Sequence, residues 1–466
     1  MTVSSNRKWL LAAPGALLLS VASVAYAQEV DLKSAVATAL ETNPEINQAA
    51  QNKEAIEFER KQAQGQFLPR ISVEGSAGIR RLENTTRRSL GIADETLYPL
   101  EANILGEQTV FDSGARSAEL KRQAARTDGA ALRVEERAEY VALNVARQYL
   151  DFLLQERIVA ASDDNVTFHE KLASDLREGV AKGSISIADQ QQAEERLQAA
   201  RVRRTEAQQD LANAAIAFRT LTGLSLEKGA MPDSPRAKLP PTLAEAIEQA
   251  RDRNPRVREA MADIDASYAM VDKARADLGP TVSLEGRGRI GEDIDGFRGN
   301  TNDLQGRVIL RWNLFNGGIN RAKVQEMVRR ASEARFRMHQ LSREAEEDVR
   351  LAWNRWTSQE KLFVDLEQQS RVSDDLLLSY REQFNVGRRS LLDVLDSQNT
   401  RYNVQVRAET ARFSQMFGQY QVLAATNQLL ASLDLAPPAA SKAYARERFN
   451  VKPTEPAEVM ERRYPD

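Results

Sequence analysis

Pro280-Thr281-Val282-Ser283-Leu284-Glu285-Gly286-Arg287-Gly288-Arg289-Ile290 sets valine, leucine, glycine and isoleucine against serine, glutamate and arginine at every second position. Pro69-Arg70-Ile71-Ser72-Val73-Glu74-Gly75-Ser76-Ala77-Gly78-Ile79 does the same 211 residues earlier. A period of two is that of a strand whose two faces meet different surroundings. Working outward, the punctuation around both runs is also duplicated. Asn43-Pro44 returns as Asn254-Pro255 at the offset of 211, and Phe111-Asp112-Ser113-Gly114 returns as Phe315-Asn316-Gly317-Gly318 at an offset of 204. Gly183-x-x-Ser186-x-x-Asp189 faces Gly387-x-x-Ser390-x-x-Asp393 at the same 204. The sequence therefore predicts two repeats of one architecture, residues 28–230 and 231–434, whose seven-residue difference falls between Pro69 and Phe111.

Returning strands follow, most clearly Leu304, Gly306, Val308, Leu310, Trp312 and Leu314 against Asp303, Gln305, Arg307 and Arg311. Each run approaches the ~10 residues of a membrane-barrel strand. The connections, about 81–97 and 291–302, are polar and glycine-containing, as exposed loops are. A soluble half-buried hairpin alternates in the same way. What favours a barrel is that each strand pair leads into a very long helix. No proline occurs between Pro99 and Pro232 or between Pro280 and Pro437, and no glycine between Ile319 and Val386. A helix of that length reaches on the order of 100 Å. Ala131, Val134, Ala138, Val141, Val145, Tyr149 and Phe152 form one apolar stripe. Beyond Gly183, Ala200, Ala207, Leu211, Ala214, Phe218 and Leu221 form another. Such alanine-rich stripes imply lateral packing of rods, and alone they fit a solvated coiled coil equally well. Four strands are too few to close a barrel, which takes about eight, so unless their edges are covered they must pair with other copies.

Arg7 and Lys8, the apolar run from Trp9 to Val24, and Ala25-Tyr26-Ala27 read as a signal peptide over residues 1–27; a membrane anchor is the alternative. Its removal takes away two positive charges and moves the net charge from −3 to −5, which argues against nucleic acid. With no cysteine there is no disulfide, thiolate nucleophile or lipid-anchor cysteine. His169 and His339 have no partner histidine at ligand spacing and read as solvated helix residues. No phosphate loop, serine–histidine constellation or metal cluster appears, and Glu346-Glu347 reads as a solvated rod face. The chain is therefore read as neither an enzyme nor a cofactor carrier. Residues 435–466, rich in alanine, proline and charge, are expected to be extended or disordered.

This arrangement resembles the TolC family of outer-membrane efflux and secretion channels. Leu32-x-x-Ala35 with Asn43-Pro44, and Leu243-x-x-Ala246 with Asn254-Pro255, open its two repeats. The segment Phe384-Asn385-Val386-Gly387-Arg388-Arg389-Ser390-Leu391-Leu392-Asp393-Val394-Leu395-Asp396 is similar to the family's periplasmic tip. The resemblance implies an α+β membrane protein: a homotrimer with four strands per protomer, a 12-stranded barrel in outer-membrane lipid, and a long helical barrel across the periplasm. It also implies two partners, a periplasmic adaptor and an inner-membrane transporter of ABC or proton-driven type. Asp393 and Asp396 match the acidic rings at the family's entrance, and Arg389 with Asp189 match its polar latch. Phe384 departs from the pattern, standing where some members carry a tyrosine. From the residues themselves, Gly183 and Gly387 end helices, and Ser186 and Ser390 begin them with Asp189 and Asp393 at capping distance. Capping alone would account for Asp189 and Asp393, but not for Asp396. The duct carries either proteins, as in type I secretion, or small molecules, and the missing anchor cysteine tilts the reading towards the former. The runner-up is a periplasmic coiled-coil adaptor or scaffold.

Overall fold

The computed structural model describes residues 30–454, so the signal-peptide reading lies outside the described residues. Helix α1 (Leu32–Thr42) and helix α2 (Pro44–Gly65) lead into strand β1 (Arg70–Ala77). Strand β2 (Leu100–Phe111), rod α3 (Ala115–Ala181) and helix α4 (Ile187–Thr222) follow. The second half gives α5 (Leu243–Arg253), α6 (Pro255–Ala276), β3 (Thr281–Glu292), β4 (Asn300–Arg311), rod α7 (Ile319–Asn385) and α8 (Leu391–Ala425) in the same order. Both Asn-Pro pairs do what their chemistry favours. The asparagine side chain caps the helix and proline takes its first position, where no N–H is needed.

The four strands form one antiparallel sheet in the order β1-β2-β3-β4. Its register puts Val73 beside Ile104, Ile104 beside Gly288, and Gly288 beside Leu304, so every apolar alternate falls on one face. That face is bare: Ile71 is 69% exposed, Val308 71% and Leu304 89%. The opposite face is a charge ladder. Arg287 lies 3.5 Å from Asp303, Arg289 lies 2.9 Å from Asp295, and Arg307 binds Glu285. Glu285 is thus paired with its cross-strand neighbour. The loops differ from expectation. Strands β3 and β4 run on to leave only 293–299 between them, while 81–97 folds a helical turn (Thr85–Ser89) and a short ribbon of Arg80–Arg81 with Thr96–Leu97. Arg87, 1% exposed, ties the two loops together by donating to the carbonyls of Gly296, Ile92 and Glu95. Nothing in the polar loop sequence announces a buried arginine whose guanidinium binds carbonyls.

Each rod is 67 residues long, about 100 Å. The α3 stripe is fully covered: Ala138, Val145 and Tyr149 join Phe218 of α4, Leu32 and Val36 of α1, and Tyr420 and Leu423 of α8 in the largest apolar cluster. At this belt the Tyr149 hydroxyl lies 2.8 Å from the Val30 carbonyl and 2.7 Å from that of Ala230, joining the segment before α1 to the linker between halves. The Asn43 amide donates to the Leu221 carbonyl at 3.3 Å, stitching the start of α2 to the end of α4.

The tail expected to be extended or disordered instead docks through Thr454. Asp128, 3% exposed, accepts the N–H groups of Tyr444, Ala445 and Arg446 at 2.8, 2.7 and 3.0 Å, and the Arg446 guanidinium at 3.1 Å. Asp265, 4% exposed, accepts from Arg446 and from the Thr454 N–H at 2.9 and 2.8 Å. Tyr444 donates to Glu57 at 2.8 Å, and Arg60 stacks on Phe449. Two buried carboxylates, one on each half, thus anchor one strap; residues 455–466 lie outside the described residues. Removing Asp128 takes the acceptor from three backbone N–H groups and the Arg446 guanidinium, and for the buried Ala445 N–H alone that costs about 1–3 kcal/mol before relaxation. Asp128→Ala is therefore expected to release the tail to limited proteolysis near residue 444 while the rods remain resistant, with a lower Tm. Unchanged cleavage would show that the strap is held by other contacts.

Candidate functional site

Both rods end in the same turn. Gly183 and Gly387 take φ of +72° and +73°, the left-handed conformation that glycine adopts without strain. In the first turn Ser184 N–H donates to Gly179 and Gly183 N–H to Val180, both at 2.9 Å; in the second Arg388 N–H donates to Gln383 at 2.8 Å and Gly387 N–H to Phe384 at 2.9 Å. These pairs satisfy the last carbonyls of each rod and reverse the chain. The returning helices then begin alike. The Ser186 hydroxyl accepts from the Asp189 N–H at 3.1 Å and that of Ser390 from the Asp393 N–H at 3.2 Å. Asp393 also accepts from the Ser390 backbone at 3.3 Å, completing a capping box.

The two tips are brought together by apolar packing. Val166, Ala173 and Leu176 of α3, Ala193, Leu197 and Ala200 of α4, and Leu391 and Leu395 of α8 form one cluster, with Ile185 and Phe384 packed against it. Phe384, which breaks the sequence pattern, therefore serves the seam. Arg389 does not reach Asp189 within this chain: among the described residues no ion pair joins them. Instead its guanidinium lies 3.7 Å from Asp393, donates to Gln383 at 3.2 Å, and sits 4.1 Å over the Tyr380 ring. The reason is local. Arg389 sits in the turn just before the N-cap Ser390, which brings Asp393 in the first turn of the returning helix within reach, and Tyr380 lies one turn before the turn on the antiparallel rod. Tyr380 escaped the sequence reading, although its spacing of four from Phe384 puts it on the same flank. Hydrogen bonding from Ser390, aided by Arg389, holds the Asp393 carboxyl below the usual range. Asp396, exposed one turn farther on, has no ion pair among the described residues. Of the two acids, it is the one left with uncompensated charge.

Above the tip cluster the interface turns polar. Ser162 meets the Tyr402 hydroxyl at 2.9 Å, Gln398 donates to Asn165 at 2.8 Å, and Arg203 donates to Asn399 at 2.8 Å. His169, read as solvated, belongs to this layer. It is 6% exposed, its Nδ1 has no partner, and burial together with Arg203 and Arg196 lowers its pKa to about 4. The missed signal was its spacing of three from Val166 and four from Ala173, which places it on the buried stripe. Among the described residues no group of acids and histidines is arranged to hold a metal ion, and no helix is long and apolar enough to cross a membrane.

The family described as outer membrane efflux protein is matched over residues 35–224 and 246–433. The chain is 27% identical over 309 residues to Protein CyaE of Bordetella pertussis, covering 64% of this chain and 63% of that relative's length. It is 23% identical over 426 residues to the alkaline protease secretion protein AprF of Pseudomonas aeruginosa, covering 89% and 86%. The crystal structure of the Campylobacter jejuni CmeC outer membrane channel superposes with a TM-score of 0.75 at 15% identity, covering 85% of this chain and 86% of that one.

Since His169 is neutral when folded but titrates near 6.5 when unfolded, the unfolded state binds more protons between pH 6.5 and 4. Stability is thus full above pH 6.5 and is lost as pH falls towards 4, by at most about 3 kcal/mol. His169→Gln should flatten that part of the Tm–pH profile; an identical slope in both proteins would exclude the histidine as its source.

Proposed function

The chain belongs to the outer membrane efflux protein family, the TolC-type channels that its motifs resemble, and from that premise we propose that it is the exit duct of a tripartite export system. Outer-membrane location with extension into the periplasm, a general role in export and the absence of catalysis come with the family. The finer reading is ours. One observation supports it most directly: an antiparallel sheet with one bare apolar face and one charged face leads straight into two rods of 67 residues. Lipid would take the apolar face and water the charged one. Three copies would supply twelve strands, six rods and twelve half-length helices, enough to close both barrels. An adaptor and an inner-membrane ABC or proton-driven transporter supply the energy and the cargo that this chain has no means to provide.

Protein cargo is favoured over small molecules alone. A relative named for protease secretion matches across nearly the whole chain, and no cysteine is present to carry a lipid anchor. The coiled-coil scaffold reading loses its support with the family assignment. At the entrance, three-fold symmetry would gather three Asp396 and three Asp393 carboxylates around one axis, a cation-selective constriction. Arg389 is the gating cation in this reading. It rests on Asp393 within its own hairpin, and it exchanges to Asp189, on the neighbouring tip, to latch the closed ring.

Reconstituted in a planar bilayer, the mature protein should give cation-selective openings, with selectivity reduced in Asp396→Asn more than in Asp393→Asn because Asp393 is already engaged. An exposed ion pair is worth up to ~1 kcal/mol, so Arg389→Ala should raise the open fraction by roughly fivefold. Anion preference in wild type, or conductance indifferent to Arg389, would remove the tip residues from gating.

A further inference from the structure

The two halves differ at one joint. In the first, Asn43 bonds across to the end of α4. In the second, the equivalent Asn254 caps α6 at Arg256 N–H but, among the described residues, makes no bond to the end of α8. A cavity of about 370 Å³ lies there instead, where the start of α6 and the end of α8 meet between the two rods. Glu139 lines it. This side chain is 7% exposed; its Oε1 accepts from the Leu430 N–H at 3.3 Å, and its Oε2 is buried with no partner.

The surroundings define what would fit. Glu136 and Asp348 share the wall with Glu139. The two arginines there are committed: Arg256 donates to Glu344 at 3.1 Å and lies 3.8 Å from Asp348, and Arg355 donates to Gln421 at 2.8 Å. Glu135, one turn back on α3, is held by Arg258 and by Asn427. Glu136 lies 3.3 Å from Arg137 and Asp348 3.8 Å from Arg256, so of the three acids on this wall Glu139 is the one with no basic partner among the described residues. The rest of the wall is Tyr140, Leu143 and Leu351, an aromatic and aliphatic lining. Burial pushes the Glu139 carboxyl up to about 8, so at neutral pH it holds a proton that a neighbouring cation would displace.

We propose that this cavity is a binding site for an amphipathic organic ammonium ion, whose charged nitrogen takes the free oxygen of Glu139 and whose apolar body lies against Tyr140, Leu143 and Leu351. The site does not depend on the duct reading, so its failure would leave that reading standing.

The test is isothermal titration calorimetry of the detergent-solubilised mature protein with 2-phenylethylamine, and with 2-phenylethanol as the uncharged counterpart. The amine should bind at least about tenfold more tightly than the alcohol, since a charge-assisted hydrogen bond to a buried carboxylate separates them. Binding near pH 7 should release a proton, seen as a heat that varies with the buffer's ionisation enthalpy. Glu139→Gln, confirmed folded by circular dichroism, should bind amine no better than alcohol. Leu351→Trp should abolish binding of both by filling the cavity. No binding of the amine to wild type, equal binding of amine and alcohol, or full affinity retained in folded Glu139→Gln would each overturn the proposal.

Discussion

A sheet with two unpaired edges and one bare apolar face cannot stand alone in water, and the architecture of this chain follows from that constraint. The N–H and C=O groups on the outer sides of β1 and β4 need partners, and a face on which Leu304 is 89% exposed needs a non-aqueous covering. Closure with further copies inside a membrane, as proposed above, would meet both demands. It would also orient the rods. The first rod follows its strand after a tight corner, where Asp112 accepts from the Arg116 backbone at 2.9 Å and from its guanidinium at 2.7 Å, so strand direction is carried into helix direction.

Along the rods, stability and mobility are divided by chemistry. The belt around Tyr149 is densely apolar and is further secured by the strap on Asp128 and Asp265. The tips hold a second, smaller apolar cluster. Between them lies a layer of hydroxyls, amides and one neutral histidine. A satisfied polar layer fixes the register of packed helices but contributes little net burial.

Local periodicity carried most of this into the sequence. The alternation at Ile71–Ile79 and Val282–Ile290, the absence of proline and glycine in the rods, and the Gly-x-x-Ser-x-x-Asp turns each depend on neighbours within a few residues, and the structure has strands, rods and capped turns at those places. What escaped depends on distant groups. Nothing near Tyr444 says that its N–H will meet Asp128, more than three hundred residues away. Asp128, Glu139 and His169 share a signature that was available: each is an ionisable residue on the buried side of the α3 stripe. Polar residues interrupting an apolar stripe mark the places where a second element brings hydrogen bonds, or where one is missing. At the tip, the sequence shows the residue types, but which acid Arg389 meets is decided by the turn of its own hairpin, which brings Asp393 and not Asp189 within ion-pair distance.

Closure by edge-to-edge pairing between copies is the central claim, and the absence of native cysteine makes it directly testable. Ser72 on β1 and Gln305 on β4 share one cross-sheet row at opposite edges, three strand spacings or about 14 Å apart within a chain. Because closure staggers the register between copies, cysteine pairs are scanned along the β1 and β4 edges, with Ser72→Cys and Gln305→Cys as the starting pair: in membranes, a bis-maleimide too short for that span should produce covalent dimers and trimers on a denaturing gel, and nothing larger, for at least one pair. Monomer alone, from protein that fractionates with the outer membrane, would contradict the account.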